Sequence, residues 1–165
     1  MFPAAIDAYE WRERLMNPTI ALLPSALLGP AVWQPVRERL RAAGREVIVA
    51  GEPGASGTSV ADILRWYLDS LPTGRDYVLV PQSNAGLYVP AITTQRFPLS
   101  YFAQRVTVAP GWSDRPAGYL AFGDAYRAER VTAESWGWRS ARLDGGHLHM
   151  LNAPGEVAAA LARLL

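Results

Sequence analysis

The chain of 165 residues contains no cysteine, no lysine and only two histidines. The absence of cysteine excludes disulfide bonds, thiolate catalysis and sulfur-ligated metals. The two histidines, His147 and His149, do not make a metal site by themselves, and His149 is more typical of packing or loop support. We therefore expect neither a metal nor a cofactor.

The sequence also lacks an excess of one charge and a long apolar run. Sixteen basic and 15 acidic residues leave a net charge of +1, which is too small to attract nucleic acid or an anionic membrane over a distance. No stretch reaches the roughly 18 apolar residues of a membrane span, and the N-terminal stretch is charged, unlike a secretory signal. These absences predict a cytoplasmic protein that has neither nucleic acid nor a membrane as its partner.

The length fits one domain, and half of the residues are hydrophobic. Apolar runs and helical periodicity alternate along it. The predicted strands are 19–23, 46–50, 77–80, 117–122 and 139–143, and the predicted helices are 31–43, 59–71, 84–93, 125–136 and 154–165. Such alternation favours parallel strands with helices on both faces. We predict a single doubly wound α/β domain over 1–165 with a mainly parallel sheet of about five strands.

Two further segments complete this prediction. Residues 1–18 read as an N-terminal appendage with a helix over 4–16, which ends before Pro18 because a residue that precedes proline avoids the helical region. Residues 96–118 have mixed polarity and several prolines, and we expect irregular structure there, with a short extended piece over 105–108.

Ligand sites in such sheets lie beyond the carboxyl ends of the strands. Three loops follow the predicted strands there: 24–26, 81–86 and 145–147. Ser83 stands at the tip of a strand, turn and helix, which is the arrangement of a nucleophile elbow. Serine needs a base, for which His147 is the natural candidate, and Asp124 could hold the imidazole.

Each of these residues also has a structural interpretation. Ser83 could cap the helix that follows it, and His147 could support a loop by hydrogen bonding to a carbonyl oxygen. Asp124 could cap the helix predicted from residue 125, in which case Asp144 or Glu129 would substitute for it as the acid. A Ser–His dyad without an acid is a further alternative.

The sequence resembles the α/β-hydrolase family, specifically small bacterial esterase-like members, over residues 19–165. PQSNAG at 81–86 is similar to the family's G-x-S-x-G elbow followed by a further glycine, but both glycines of the motif are replaced and only the further one, Gly86, remains. GGH at 145–147 and PGEVA at 154–158 resemble its C-terminal Gly-His followed by Pro-x-Glu-Val-Ala. LLPSA at 22–26 and WQPV at 33–36 are similar to its oxyanion loop and following helix, with Pro-Ser in place of His-Gly.

The resemblance implies a role for six residues. They are the nucleophile Ser83, the base His147, the acid Asp124, the backbone amides of Ala26 and Asn84 in an oxyanion hole, and Ser25 beside them in the substrate-binding loop. The acid departs from the family's G-x-x-D spacing, because Asp124 follows Gly123 directly and Tyr126 takes the expected place.

The chain is also short for the family, since residues 92–95 run almost directly into 96–102. The sequence pattern therefore predicts that a lid and one strand are nearly absent, and that the shortened sheet has a gap or an open edge. An open edge tends to be covered by another segment or another subunit. We expect a homodimer, which size-exclusion chromatography with light scattering tests.

The function implied is that of a cofactor-free serine hydrolase. It would cleave an ester, thioester or lactone of a small apolar substrate through an acyl-enzyme. One alternative is non-hydrolytic acid/base chemistry in a biosynthetic pathway, such as cyclisation, elimination or isomerisation, with His147 as acid or base. Another is a catalytically inactive binding module, because a fold does not by itself preserve an activity.

Overall fold

The computed structural model describes four stretches of the chain, which are residues 18–25, 28–50, 60–89 and 110–165. The helix predicted over 4–16, the extended piece over 105–108 and the predicted oxyanion residue Ala26 lie outside them. Nearly all of the other predicted elements fall inside.

The predicted alternation of strands and helices is present in the described residues. The strands are β1 (Thr19–Leu23), β2 (Val47–Val49), β3 (Tyr77–Pro81), β4 (Gly118–Phe122) and β5 (Arg139–Leu143). The helices are α1 (Gln34–Ala42), α2 (Val60–Asp69), α3 (Arg127–Ser135), α4 (His149–Asn152) and α5 (Pro154–Leu164). Short 3-10 helices cover Pro30–Trp33, Ser83–Tyr88 and Trp112–Asp114. The helix predicted over 84–93 thus begins as a 3-10 helix, and α4 was not predicted.

The strands form two parallel sheets. One has three strands in the order β2-β1-β3, and the other pairs β4 with β5. The α/β class is confirmed, and within the described residues the two sheets are hydrogen-bonded separately, so a single sheet of about five strands stays a prediction. Periodicity predicts that a segment is a strand; which edges pair depends on contacts between residues that are distant in the chain.

Strand β1 is the centre of the larger sheet, and all five of its residues are buried. Because side chains alternate across a strand, Ile20 and Leu22 face a core built with α1 and α5. Ala21 and Leu23 face the opposite side, where they join a cluster that includes Tyr67 of α2. Helices therefore cover both faces, which explains why β1 is a continuous apolar run.

The smaller sheet shares one of these cores. Leu120, Phe122 and Leu143 pack, partly buried, against the cluster that contains Ile20 and Leu22. Helix α5 contacts both β4 and β5 as well as α1. One helical layer thus connects the two sheets.

The helix-to-strand turns lie at the amino ends of the strands. They cover residues 43–46, 70–76 and 136–138 and are largely exposed. At the first of them Gly44 adopts a left-handed φ of 79°, and its N–H donates to the Arg41 carbonyl at 2.9 Å, which ends α1. No helix within the described stretches is both long and apolar enough to cross a bilayer.

We expect Leu22→Ala to destabilise the fold strongly, because the Leu22 side chain is fully buried in the core that both sheets share. Cavity formation at such a site costs about 2–5 kcal/mol, which urea denaturation measures. Leu151→Ala is the control, since Leu151 is 42% exposed and surface substitutions usually change stability by less than about 0.5 kcal/mol. Equal losses for the two variants would contradict the assigned core.

Candidate active site

The carboxyl ends of β1 and β3 are neighbours at the point where the strand order reverses. From β1 the chain moves to β2 on one side and then crosses to β3 on the other, and such a switch point opens a crevice. Leu23 is in register with Pro81, and the Gln82 N–H donates to the Leu23 carbonyl at 3.0 Å. Ser25 and Ser83 therefore follow the two strands side by side.

Ser83 is exposed and has a φ of 56°, the only positive φ among the described non-glycine residues. It follows β3 after a single residue and begins the 3-10 helix. A left-handed conformation costs an L-residue about 1–2 kcal/mol, so it persists only where the surrounding structure enforces it. This strained turn is the geometry expected of a nucleophile elbow.

Of the two predicted oxyanion donors, only the backbone amide of Asn84 lies within the described residues. The first hydrogen bond inside the 3-10 helix runs from the Ala85 N–H to the Gln82 carbonyl at 3.1 Å. The backbone amides of Ser83 and Asn84 precede that bond, at the helix end where N–H groups lack a partner within the helix. The Asn84 amide thus has the backbone position that the predicted role requires.

Gln82 joins the loops that follow β1 and β5. Its side chain is buried, with 6% exposed, and its Oε1 accepts the Ser25 N–H at 3.1 Å. Because a backbone N–H can only donate, Oε1 must face Ser25, and the amide Nε2 faces His147 Nε2 at 3.4 Å. Sequence reasoning missed this role, since the position before the serine is variable in the motif.

The two neighbours of His147 indicate its tautomer. The Gln82 NH₂ group is a donor, so the His147 Nε2 that faces it is an unprotonated acceptor. The proton of a neutral ring then lies on Nδ1, which is 3.4 Å from the Tyr126 hydroxyl. A base that takes a proton at Nε2 needs this tautomer. Both contacts are long for hydrogen bonds.

Asp124 contacts Arg142 and not His147. Its Oδ1 lies 2.9 Å from Arg142 Nε and its Oδ2 3.4 Å from Nη2, while Asp144 Oδ1 lies 2.8 Å from the same Nη2. Hydrogen bonding to Asp124 raises the pKa of Arg142, and the charges of Asp124 and Asp144 raise it further. The guanidinium fork accommodates both carboxylates. The predicted acid and its substitute Asp144 are thus held by an arginine in the structure.

Asp124 also does not serve as the alternative helix cap. Helix α3 begins at Arg127, with Tyr126 as its N-cap and no side-chain capping bond. The other substitute acid, Glu129, lies in the first turn of α3. Within the described residues no hydrogen bond joins any carboxylate to His147.

The loops after β4 and β5 are packed tightly, which brings Tyr126 to His147. The Gly123 N–H donates to the Leu143 carbonyl at 2.8 Å, and a Cβ on Gly123 would lie 2.9 Å from the Gly145 carbonyl oxygen. The rings of Tyr126 and His147 are 6.0 Å apart between centroids. The sequence contained a signal for this contact, because Tyr126 occupies the position at which the family's G-x-x-D pattern has the acid.

His149 supports the loop that carries His147. Its side chain is buried and lies 5.6 Å from the Phe122 ring, with Nε2 3.5 Å from Glu156 Oε2. A Cβ at Gly145 would lie 2.2 Å from the His149 Nδ1, so the ring can pack there only because residue 145 is glycine. In the part of the chain that the structure describes, no three His, Asp or Glu side chains form a group that could hold a metal ion.

Comparison with known proteins adds no relative. No model of a known protein family matches the sequence, and no curated protein matches it.

We expect Ser83→Gly to be more stable than Ser83→Ala, since both remove the hydroxyl but only glycine relaxes the left-handed backbone. The difference should be about 1 kcal/mol, or roughly 2–4 °C in Tm for a domain of this size. Thermal unfolding followed by circular dichroism measures it. The same pair at Ser135, at the end of α3, should show the opposite order, because glycine is the poorer helix former. A Ser83→Gly variant no more stable than Ser83→Ala would rule out strain at this turn.

Proposed function

We propose that the protein is a cofactor-free serine hydrolase that cleaves an ester, thioester or lactone of a small apolar substrate. The observation that carries the proposal is the exposed, left-handed Ser83 at the carboxyl end of β3, next to a residue whose side chain contacts His147. Strained backbone clusters at functional sites, and Ser83 follows β3 at the switch point, where sheets of this kind bind ligands.

In the first half of the reaction, Ser83 Oγ attacks the carbonyl carbon of the substrate while its proton moves to His147 Nε2. The carbonyl π electrons move to the oxygen, and the Asn84 N–H stabilises the resulting oxyanion together with, by the resemblance, the Ala26 N–H. Such a donor contributes about 3 kcal/mol. When the tetrahedral intermediate collapses, the leaving alcohol or thiol takes the proton from His147 and the acyl group stays on Ser83.

In the second half, water attacks the acyl carbon and gives its proton to His147, and the ester bond to Ser83 then breaks. The His147 proton returns to Ser83 Oγ, so the enzyme is restored and the products are the acid and the alcohol or thiol. Before the first proton transfer, the Ser83 hydroxyl must replace the Gln82 amide at His147 Nε2. That contact is 3.4 Å long, and a neutral hydrogen bond contributes only about 1 kcal/mol net.

The covalent step is tested by fluorophosphonate labelling with mass-spectrometric identification of the modified residue. We expect labelling at Ser83 and, for Ser83→Ala, a loss of aryl-ester turnover on the order of 10⁴-fold or more, since the nucleophile is gone. Ser113→Ala, which changes a serine of the Trp112–Asp114 helix, should label normally. Undiminished turnover by Ser83→Ala, or a label on another residue, would rule out the covalent mechanism.

A second candidate is non-hydrolytic acid/base chemistry, such as elimination or isomerisation, in which His147 exchanges protons with the substrate and Ser83 is not acylated. It is favoured by one observation. His147 Nε2 faces the Gln82 amide, and within the described stretches no hydrogen bond joins it to Ser83.

Turnover in isotopically labelled water separates the two candidates. Hydrolysis introduces one solvent oxygen into the acid product, whereas cyclisation, elimination and isomerisation introduce none. We expect label in the product of the wild-type protein and no turnover by Ser83→Ala. An unlabelled product that Ser83→Ala also forms would favour the acid/base alternative.

A further inference from the structure

We propose that Tyr126 is the positioning residue of His147, in the place where a serine hydrolase of this type would use a carboxylate. The Tyr126 hydroxyl oxygen accepts the Nδ1–H of the imidazole and keeps Nε2 directed toward Gln82, the residue that precedes Ser83. The catalytic consequence of this contact rests on the proposed hydrolase function, whereas the contact itself does not.

The direction of this hydrogen bond follows from a chain of donors and acceptors. The Ser25 N–H fixes the orientation of the Gln82 carboxamide, whose NH₂ group makes His147 Nε2 an acceptor. The ring proton therefore lies on Nδ1 and points to the Tyr126 hydroxyl, 3.4 Å away. A hydroxyl can donate and accept, and beside an N–H it must accept.

The nearby carboxylates are engaged elsewhere. Asp124 and Asp144 both pair with Arg142, and their side chains are 74% and 88% exposed. To orient His147, either would have to leave an arginine whose guanidinium holds both. Tyr126 is already at Nδ1 and needs no such exchange.

The backbone of Tyr126 holds the phenol in place. Tyr126 is the N-cap of α3, and its carbonyl accepts the Arg130 N–H at 3.0 Å, while the neighbouring Arg127 N–H donates to the Asp124 carbonyl at 3.2 Å. The first turn of α3 therefore fixes the backbone position of Tyr126, from which the phenol extends. Its ring is inclined by 42° to the imidazole.

A neutral acceptor limits the chemistry of the site. During proton transfer the imidazole becomes positively charged, and a phenol oxygen stabilises that charge less than a carboxylate does, because charge-assisted hydrogen bonds are roughly twice as strong as neutral ones. The site should therefore act on acyl compounds with good leaving groups, such as thioesters and aryl esters, and poorly on amides.

The decisive variant is Tyr126→Phe, which removes the acceptor and keeps the ring. We expect the rate of fluorophosphonate labelling at Ser83 to fall roughly 10- to 100-fold, the effect of losing one hydrogen bond to a group that becomes charged. Tyr77→Phe is the matched control, since it deletes a hydroxyl that donates to the Pro72 carbonyl before β3. Asp124→Asn tests the carboxylate, and both of these variants should label at about the wild-type rate.

Nitrogen NMR of the imidazoles supplies a readout that does not depend on activity. The protein has two histidines, so His147 is observed with His149 as an internal reference. We expect neutral His147 to carry its proton mainly on Nδ1 in the wild type and in Asp124→Asn, and we expect the Nε2–H tautomer to gain population in Tyr126→Phe, which retains only the Gln82 contact.

Two results would overturn the assignment to Tyr126: an unchanged His147 tautomer in Tyr126→Phe, or a loss of labelling rate in Asp124→Asn as large as that in Tyr126→Phe. A wild-type protein that does not label at Ser83 overturns the hydrolase proposal instead. In that case the tautomer comparison alone decides whether Tyr126 positions His147.

Discussion

The buried carboxamide of Gln82 is the contact on which the site depends. It accepts the Ser25 N–H beyond β1 and faces the imidazole of His147 beyond β5. Within the described residues the strands of the two sheets are hydrogen-bonded separately, but residues of both pack against one core. The Gln82 amide is a polar contact between the carboxyl edges of the two sheets.

The charges around the site are arranged so that His147 has neutral partners. Arg142 pairs with both Asp124 and Asp144, which leaves an amide on one side of the imidazole and a phenol on the other. Each such hydrogen bond contributes roughly 1 kcal/mol. The imidazole is therefore oriented by two neutral hydrogen-bonding partners and not by a charged one.

Local patterns predicted the elements and the exposed serine, because both depend on residues that are close in the chain. The apolar run that ends shortly before Ser83 predicted the turn. His147 was predicted as the base because the chain has only two histidines. The roles of Gln82 and Asp124 could not be predicted in this way. The Gln82 side chain accepts the backbone N–H of Ser25, which follows a different strand. Asp124 follows β4 and is bound by Arg142 of the neighbouring strand β5.

The parallel direction of the strands within each sheet separates two kinds of surface. The carboxyl edge carries Ser25, Gln82 and His147, whereas the amino edge consists of the turns at 43–46, 70–76 and 136–138. Exposed turns tolerate insertions better than packed elements do. A fluorophore, an affinity handle or a surface-immobilisation tag would therefore fit at the amino edge, and the opposite edge would stay accessible to small molecules.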